Sequence, residues 1–123
     1  MQVRGVNWTG VKTDRYEEMA SFFRTVVGLT LALEQADFTV FELPDGGKLE
    51  TFGPEGPAPA EQFAENQVEA GFFVDDIAEA TAELRRAGVE LLGDLHIGSG
   101  GYAWQHFRAP DGEVFELCPD PTQ

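Results

Sequence analysis

The segment PDGGKLE at residues 44–50 returns later in the chain as PDGEVFE at residues 110–116. In both copies a Pro-Asp-Gly turn signal lies between two extended runs, and a glutamate follows the proline by six positions. These residues favour tight turns, because proline presets φ and glycine tolerates positive φ. Each segment therefore predicts a β-hairpin, and the pair predicts an internal duplication.

The residues before the two hairpins repeat as well. Extended runs at residues 6–13 and 68–74 each lead into an acidic cap, an apolar stripe at helical spacing and a terminating glycine. The predicted caps are Asp14 and Asp76, and the predicted terminating glycines are Gly28 and Gly88. Three more strands are expected after each helix, at residues 29–33, 38–43 and 48–52 and at residues 89–92, 102–108 and 113–118.

This order of elements predicts an α+β fold of two tandem βαβββ modules that form a curved mixed sheet around a cleft. Module 1 is expected at residues 5–53 and module 2 at residues 67–119, joined within one domain by a proline-rich linker at residues 54–66. One helix and one sheet face give little core, so the modules are expected to pack together. Matching residues of the two copies lie further apart in the sequence near the hairpins than near the first strands. A longer loop at residues 93–101 of the second copy accounts for this difference.

Charge and composition restrict the partners. The net charge is −14, from 22 acidic and 8 basic residues, and such a field repels nucleic acid. It favours a cation, either a metal ion or a positively charged organic molecule, unless the acidic surface serves only solubility. There is no apolar run of about 20 residues to cross a membrane and no signal-peptide pattern at the N-terminus. The single cysteine, Cys118, excludes an internal disulfide and favours a cytoplasmic location.

Alternation along the strands assigns side chains to the two faces of the sheet. It predicts that Glu50, Glu69 and Glu116 point into the cleft. Matching the two copies places Trp8 at the position that corresponds to Glu69, so these four side chains are expected to converge. The apolar wall of the cleft is expected to come from five aromatic residues: Phe38, Phe52, Phe73, Tyr102 and Trp104.

Four other side chains have candidate roles. His106 and Arg108 have cleft parity, and His106 is either a metal ligand, a general base or a partly buried polar lining residue. His96 lies in a predicted glycine-rich loop, which is either a lid or a solvent-exposed connection. Cys118 shares the cleft face, but no basic residue adjoins it in the sequence, so a reactive thiolate is not indicated.

Six short motifs follow one another along the two modules: FF (22–23), VGL (27–29), VDD (74–76), AGV (87–89), APDG (109–112) and FEL (115–117). In order and spacing, these motifs resemble the vicinal oxygen chelate superfamily, which contains glyoxalase I, the bleomycin-resistance proteins and the extradiol dioxygenases. The resemblance covers nearly the whole chain and implies metal-ligand positions at Trp8, Glu50, Glu69 and Glu116. It also implies a homodimer, since two-module members of the family often pair.

Three functions remain open, and with them whether the protein is an enzyme. A metal-free binding protein similar to the bleomycin-resistance branch would hold a cationic or aromatic ligand by stacking and cation–π contacts. It would explain Trp8, because the indole nitrogen has no free lone pair for a metal. Its ligand-binding residues would be Trp8, Phe38, Phe52, Phe73, Tyr102, Trp104, His106 and Arg108. A glyoxalase-like lyase or isomerase would instead hold a divalent ion with Glu50, Glu69 and Glu116. In a structural or regulatory domain, the aromatic residues would only form core.

Overall fold

The computed structural model describes residues 1–63, 66–98 and 101–120 and contains one curved, open sheet of eight strands. The strands are β1 (Val3–Lys12), β2 (Thr30–Gln35), β3 (Phe38–Glu42), β4 (Lys48–Phe52), β5 (Val68–Val74), β6 (Glu90–Ile97), β7 (Ala103–Arg108) and β8 (Val114–Pro119). The helices are α1 (Tyr16–Ser21), which continues as a π-helical segment (Phe22–Val27), α2 (Ala60–Phe63) and α3 (Ile77–Arg86). The predicted α+β class with two βαβββ units is confirmed. No helix in these described ranges has the length and apolar character to cross a bilayer.

The strands are arranged across the sheet in the order β2-β3-β4-β1-β5-β8-β7-β6. The first module supplies one half of the sheet and the second module the other half, and β1 pairs antiparallel with β5 at the centre. Within each module the first strand pairs in parallel with the last, β1 with β4 and β5 with β8. Both Pro-Asp-Gly segments join antiparallel strands, so both predicted hairpins are confirmed.

The strand register shows that the two modules are related by an approximate two-fold axis. Gly10 lies opposite Glu50 in the β1–β4 pair, and Gly71 lies opposite Glu116 in the β5–β8 pair. The two glycines and the two glutamates therefore occupy matching positions, as the sequence repeat predicts. Since β1 and β5 meet at the axis, side chains from both modules face one another across the concave face of the sheet.

The two module helices begin differently. Asp76 caps α3, because its side chain accepts a hydrogen bond of 3.0 Å from the backbone N–H of Glu79, as predicted. The predicted cap at Asp14 is wrong, since α1 begins two residues later without a side-chain cap. At that end, the Thr13 hydroxyl accepts a bond from the backbone N–H two residues on and forms a local turn instead. Both predicted terminating glycines have positive φ, at 82° and 78°.

The second module differs from its prediction after α3. Strand β6 extends to Ile97, well beyond the predicted end at residue 92, so His96 belongs to a strand. Gly93 has a φ of 71° and lies where the register of the β6–β7 pair shifts, which is the geometry of a bulge within a strand. Residues 64–65 of the linker and 99–100 of the predicted loop lie outside the described residues.

The two faces of the sheet carry separate cores. On the convex face, Val74, Ala80 and Leu117 pack together between the sheet and α3. The concave face carries a second buried cluster, made of Trp8, Phe52, Phe63, Phe73 and Cys118. The predicted alternation in β8 is confirmed here, because the neighbouring residues Leu117 and Cys118 belong to opposite cores.

Candidate functional site

The concave face holds a cleft of about 730 Å³ that is open to solvent. All six aromatic side chains that the sequence assigns to it line this cleft: Trp8, Phe38, Phe52, Phe73, Tyr102 and Trp104. Its charged or amide-bearing lining includes Lys48, Glu50, Gln62 and Glu116. Both tryptophans of the chain line this cleft, so the intrinsic tryptophan fluorescence of the protein reports on it.

Trp8 lies at the centre of the cleft and is only 5 % exposed. In the β1–β5 pair it lies opposite Gly71, while Gly10 lies opposite Glu69, so the two-fold axis relates Trp8 to Glu69. A Cβ atom on Gly10 would lie 2.5 Å from the indole ring, and one on Gly71 would lie 2.9 Å from it. The indole ring of Trp8 therefore fits in this place only because residues 10 and 71 are both glycine and carry no Cβ atom.

Glu50 and Glu116 are buried carboxyl groups that line the cleft, and the partly buried Asp120 lines it as well. Burial raises the pKa of Glu50 to about 7, repulsion from Glu116 adds to the rise, and a hydrogen bond from Trp8 and the charge of Lys48 oppose it. Burial also raises the pKa of Glu116, while the neighbouring imidazole of His106 acts in the opposite direction. Near neutral pH Glu50 is about half ionised, so its charge responds to any ligand that approaches it.

Glu69 is buried beside the cleft and does not line it. Its exposure is 1 %, and among the described residues neither of its oxygens has a hydrogen-bond partner. Burial raises its pKa to about 10, with further repulsion from Glu116 and Glu61. Glu69 is therefore a neutral carboxylic acid at physiological pH.

His106 lies among three carboxyl groups, those of Glu61, Glu69 and Glu116, and is buried to 1 % exposure. Its Nε2 is 3.1 Å from Glu116 Oε1, and its Nδ1 is 3.7 Å from Glu61 Oε1 on α2. Glu116 lines the cleft, whereas the Glu61 side chain is one-third exposed. The imidazole thus connects the inner wall of the cleft with a more exposed carboxylate and does not itself line the cleft.

Three other candidate residues, Arg108, His96 and Cys118, are not placed to react with a ligand at the centre of the cleft. Arg108 is outside the lining, where it pairs with Glu90 at 2.8 Å. His96 stacks on Trp104, with the ring centres 3.8 Å apart and the planes 14° apart, so it supports Trp104 from the neighbouring strand β6. Cys118 lines the cleft, and burial raises the pKa of its thiol, which stays protonated.

Helix α2 is the part of the site that the sequence did not predict. Its Phe63 packs edge-to-face on Phe52, with ring centres 5.3 Å apart, and its Glu61 lies beside Gly93 of β6. Through Glu61 the helix covers the part of module 2 that holds the buried His106. A short helix between prolines gives little periodic signal, because four residues complete barely one turn.

The linker before α2 also lines the cleft, through Pro57 and Pro59. Asp37, in the turn between β2 and β3, holds this segment in place. Its Oδ2 accepts a 2.8 Å bond from the backbone N–H of Glu55, and its carbonyl oxygen accepts one of 2.8 Å from Gly53. Asp37 has a φ of 55°, a conformation that aspartate tolerates better than most residues.

The carboxyl groups are arranged as adjoining pairs. Glu116 lies close enough to Glu50 and to Glu69 to raise the pKa of each. Glu69 also has its Oε1 3.9 Å from Nε2 of His106. In the part of the chain that the structure describes, no three His, Cys, Asp or Glu side chains surround one point as metal ligands do. With Trp8 at the fourth position, the residues as arranged do not form a shell that fits a divalent ion.

Comparisons with known proteins agree with this architecture. A family sequence profile described as the Glyoxalase/Bleomycin resistance protein/Dioxygenase superfamily matches residues 5–117. No curated protein matches the chain. A superfamily member from Vibrio splendidus 12B01 is a similar solved structure, with 23 % identity, a TM-score of 0.66, and coverage of 97 % of this chain and 100 % of that one.

Two enzymes of known structure share the fold. Methylmalonyl-CoA epimerase from Mycobacterium tuberculosis is 16 % identical, with a TM-score of 0.74 over 98 % of this chain and 91 % of that chain. The Mn(II)-bound glyoxalase from Novosphingobium aromaticivorans is 19 % identical, with a TM-score of 0.74 over 97 % of this chain and 40 % of that chain. At these identities the likeness shows the fold alone, and the family assignment depends on the profile match. The chain therefore belongs to the glyoxalase/bleomycin resistance protein/dioxygenase superfamily.

Proposed function

We propose that this protein binds a small cationic or aromatic molecule in its cleft without a complete metal site, as a bleomycin-resistance-like binding protein. The observation that carries the proposal is Trp8, a buried indole at the position that the two-fold axis relates to Glu69. An indole ring offers a flat face to an organic ligand and no lone pair to a metal. The proposed ligand-binding residues are the six aromatic side chains that line the cleft, together with Glu50 and Glu116.

The chemistry of the lining supports a cationic ring more than a neutral one. The face of an indole carries negative electrostatic potential, and a desolvated cation–π contact contributes about 2 kcal/mol. A nearby carboxylate adds a charge-assisted hydrogen bond or an ion pair in a partly dry environment. Glu50 is well placed for this, because it lies two residues from Phe52 on the same face of β4.

A permanent aromatic cation is the direct test. We expect N-methylquinolinium to quench the tryptophan fluorescence saturably and to bind at least about tenfold more tightly than quinoline, its uncharged analogue. As the pH is raised towards 7, the affinity for N-methylquinolinium should increase by up to tenfold per pH unit. Above about pH 8 it should level off. The sign follows from Glu50, whose raised pKa of about 7 keeps it neutral in acid and negative in base.

The matched control is Glu50→Gln, which retains the shape of the side chain and removes its titration. This variant should bind N-methylquinolinium weakly at every pH between 6 and 8, and quinoline as the native protein does. Equal affinity of the native protein for the two compounds, or an affinity for the cation that does not change with pH, would contradict the proposal.

A second candidate function is a metal-dependent lyase or isomerase that uses Glu50, Glu69 and Glu116. One observation favours it: these three carboxyl groups all have raised pKa values, and a divalent ion between them would remove their mutual repulsion. The side chains would have to move to form a ligand shell. In that case the ion would polarise the oxygens of the substrate, and the carboxyl groups that were left free would transfer protons.

Thermal unfolding with metal ions separates the two functions. We expect chelator-treated protein to show no shift in melting temperature beyond about 1 °C with Mn²⁺, Ni²⁺, Zn²⁺ or Fe²⁺ at neutral pH. Binding at one hundred times the dissociation constant would instead stabilise the fold by about 2.7 kcal/mol, which corresponds to several degrees. A shift of that size that disappears in the Glu50→Gln/Glu116→Gln double variant would replace the first function by the second.

We also propose that the protein is a cytoplasmic homodimer. The lone cysteine and the resemblance to two-module family members support this. The π-helical segment adds a surface for self-association, because its apolar residues Phe22, Val26 and Val27 are about half or more exposed.

A further inference from the structure

The cleft contains one basic side chain among its described lining residues, Lys48. It begins β4, beside Trp8 on β1 and on the same face as Glu50 two residues later. Residues two apart on a strand are separated by about 6.6 Å, so a positive and a negative side chain lie about one fused-ring length apart. The cleft therefore presents both signs of charge along one wall.

The ammonium group of Lys48 is directed into the cleft mouth. Its Nζ lies 5.4 Å from the ring centre of Tyr102, which belongs to the other module. Glu42 is its cross-strand neighbour on β3, yet no ion pair forms between the two. A cation–π contact uses the charge of the ammonium but leaves hydrogen-bond donors free, since a ring face accepts no conventional hydrogen bond.

The charge of the whole molecule gives this lysine a selective role. With a net charge of −14, the protein repels small anions at long range. An anionic group enters this cleft favourably only when a local cation compensates for it, and among the described lining residues Lys48 is the side chain that can do so. The aromatic side chains that line the cleft with Lys48 and the carboxyl groups would hold the ring that carries the two charges.

We infer that the cleft selects bipolar aromatic molecules, with a carboxylate held by Lys48 at the mouth and a cationic nitrogen held by the indole of Trp8 and by Glu50. This inference rests on the proposed binding function and specifies its ligand class. Lys48 is the residue that distinguishes a zwitterion from a simple cation. The two charges of the ligand should be about as far apart as opposite ends of a two-ring system.

Three quinoline probes test the inference: N-methylquinolinium, its 6-carboxylate inner salt, and quinoline-6-carboxylate. In tryptophan quenching titrations at pH 8 and low salt, we expect the inner salt to bind about tenfold more tightly than N-methylquinolinium, the gain typical of a hydrogen bond to a charged group. Quinoline-6-carboxylate, which lacks the cation, should bind more weakly than both. In Lys48→Met the gain of the inner salt over N-methylquinolinium should vanish, because the ratio of the two affinities depends on the positive charge at this position.

Lys12→Met is the matched control, because it removes the same charge from an exposed position outside the cleft lining. It should retain the tenfold gain, as should Lys48→Arg. If N-methylquinolinium binds but the carboxylate adds nothing, or if the gain persists in Lys48→Met, the inference is overturned and the proposed function stands. If neither quinolinium compound quenches the fluorescence, the proposed function itself fails.

Discussion

Replacing Glu69 with glutamine is expected to stabilise the protein by about 3–5 kcal/mol at pH 8 and by almost nothing at pH 4. The carboxyl group is buried, lacks a hydrogen-bond partner among the described residues, and has its pKa raised to about 10. It must remain protonated in the folded state at a pH where the unfolded chain would release the proton. Glutamine has nearly the same shape but is uncharged at every pH, so the variant does not have to bind a proton in order to fold.

The sign of the pH dependence follows from the proton count. Between the unfolded pKa of about 4.5 and the folded pKa of about 10, the folded state binds more protons than the unfolded state. The free energy of unfolding therefore falls as the pH rises through this range, by about 1.4 kcal/mol per unit for this one group. Urea denaturation of native protein and Glu69→Gln at several pH values measures the difference directly.

Glu42→Gln serves as the control for the Glu69 variant. Glu42 is exposed on β3, and its replacement should change stability by less than about 0.5 kcal/mol at any pH. A gain for Glu69→Gln that is the same at pH 4 and pH 8 would show that packing, and not ionisation, is responsible. No gain at pH 8 would show that Glu69 is solvated or paired in solution.

Truncation of Trp8 to alanine is expected to cost about 3–5 kcal/mol of stability, a large share of the total for a domain of this size. The indole belongs to the concave core with Phe52, Phe63 and Phe73, and the glycines that face it cannot fill the space that it would leave. The melting temperature should fall by more than about 10 °C. Calorimetry or thermal unfolding followed by circular dichroism checks this.

Trp8→Phe separates the binding role of this residue from its packing role. It retains an aromatic ring in the core and removes the indole face and its hydrogen bond to Glu50. With Trp104 as the remaining reporter, the affinity for N-methylquinolinium should fall about five- to tenfold. In the converse variant, Trp104→Phe, the fall should be smaller, since Trp104 is only partly buried at the cleft wall. Equal losses in the two variants would remove the central role of Trp8.

Much of this architecture can be predicted from the sequence because the chain contains the same unit twice. The hairpin segments at residues 44–50 and 110–116 fix the offset between the modules, and alternation then assigns Glu50, Glu116 and Trp8 to one face. Period-two alternation is reliable here because one face packs under a helix and the other lines a cleft. A slip of one residue would reverse every side chain.

The parts that escaped prediction depend on contacts between modules or on irregular backbone. Glu69 has cleft parity, yet it is buried beside the cleft, where Glu61 of α2 and His106 lie close to it. Gly93 suggests a loop in the sequence, although its positive φ forms a bulge and the strand continues. Such features depend on partners distant in sequence, which local patterns do not contain.

The position of α2 also determines how many molecules the protein holds. A duplicated chain with two-fold related strands would ordinarily offer two equivalent half-sites, one over each module. Here Phe63 packs on Phe52 of the first module while Glu61 lies beside His106 of the second, so α2 occupies the concave face asymmetrically and the remaining cavity has no symmetry of its own. The expected stoichiometry is one ligand per chain, bound in a single orientation even when the ligand itself is symmetric.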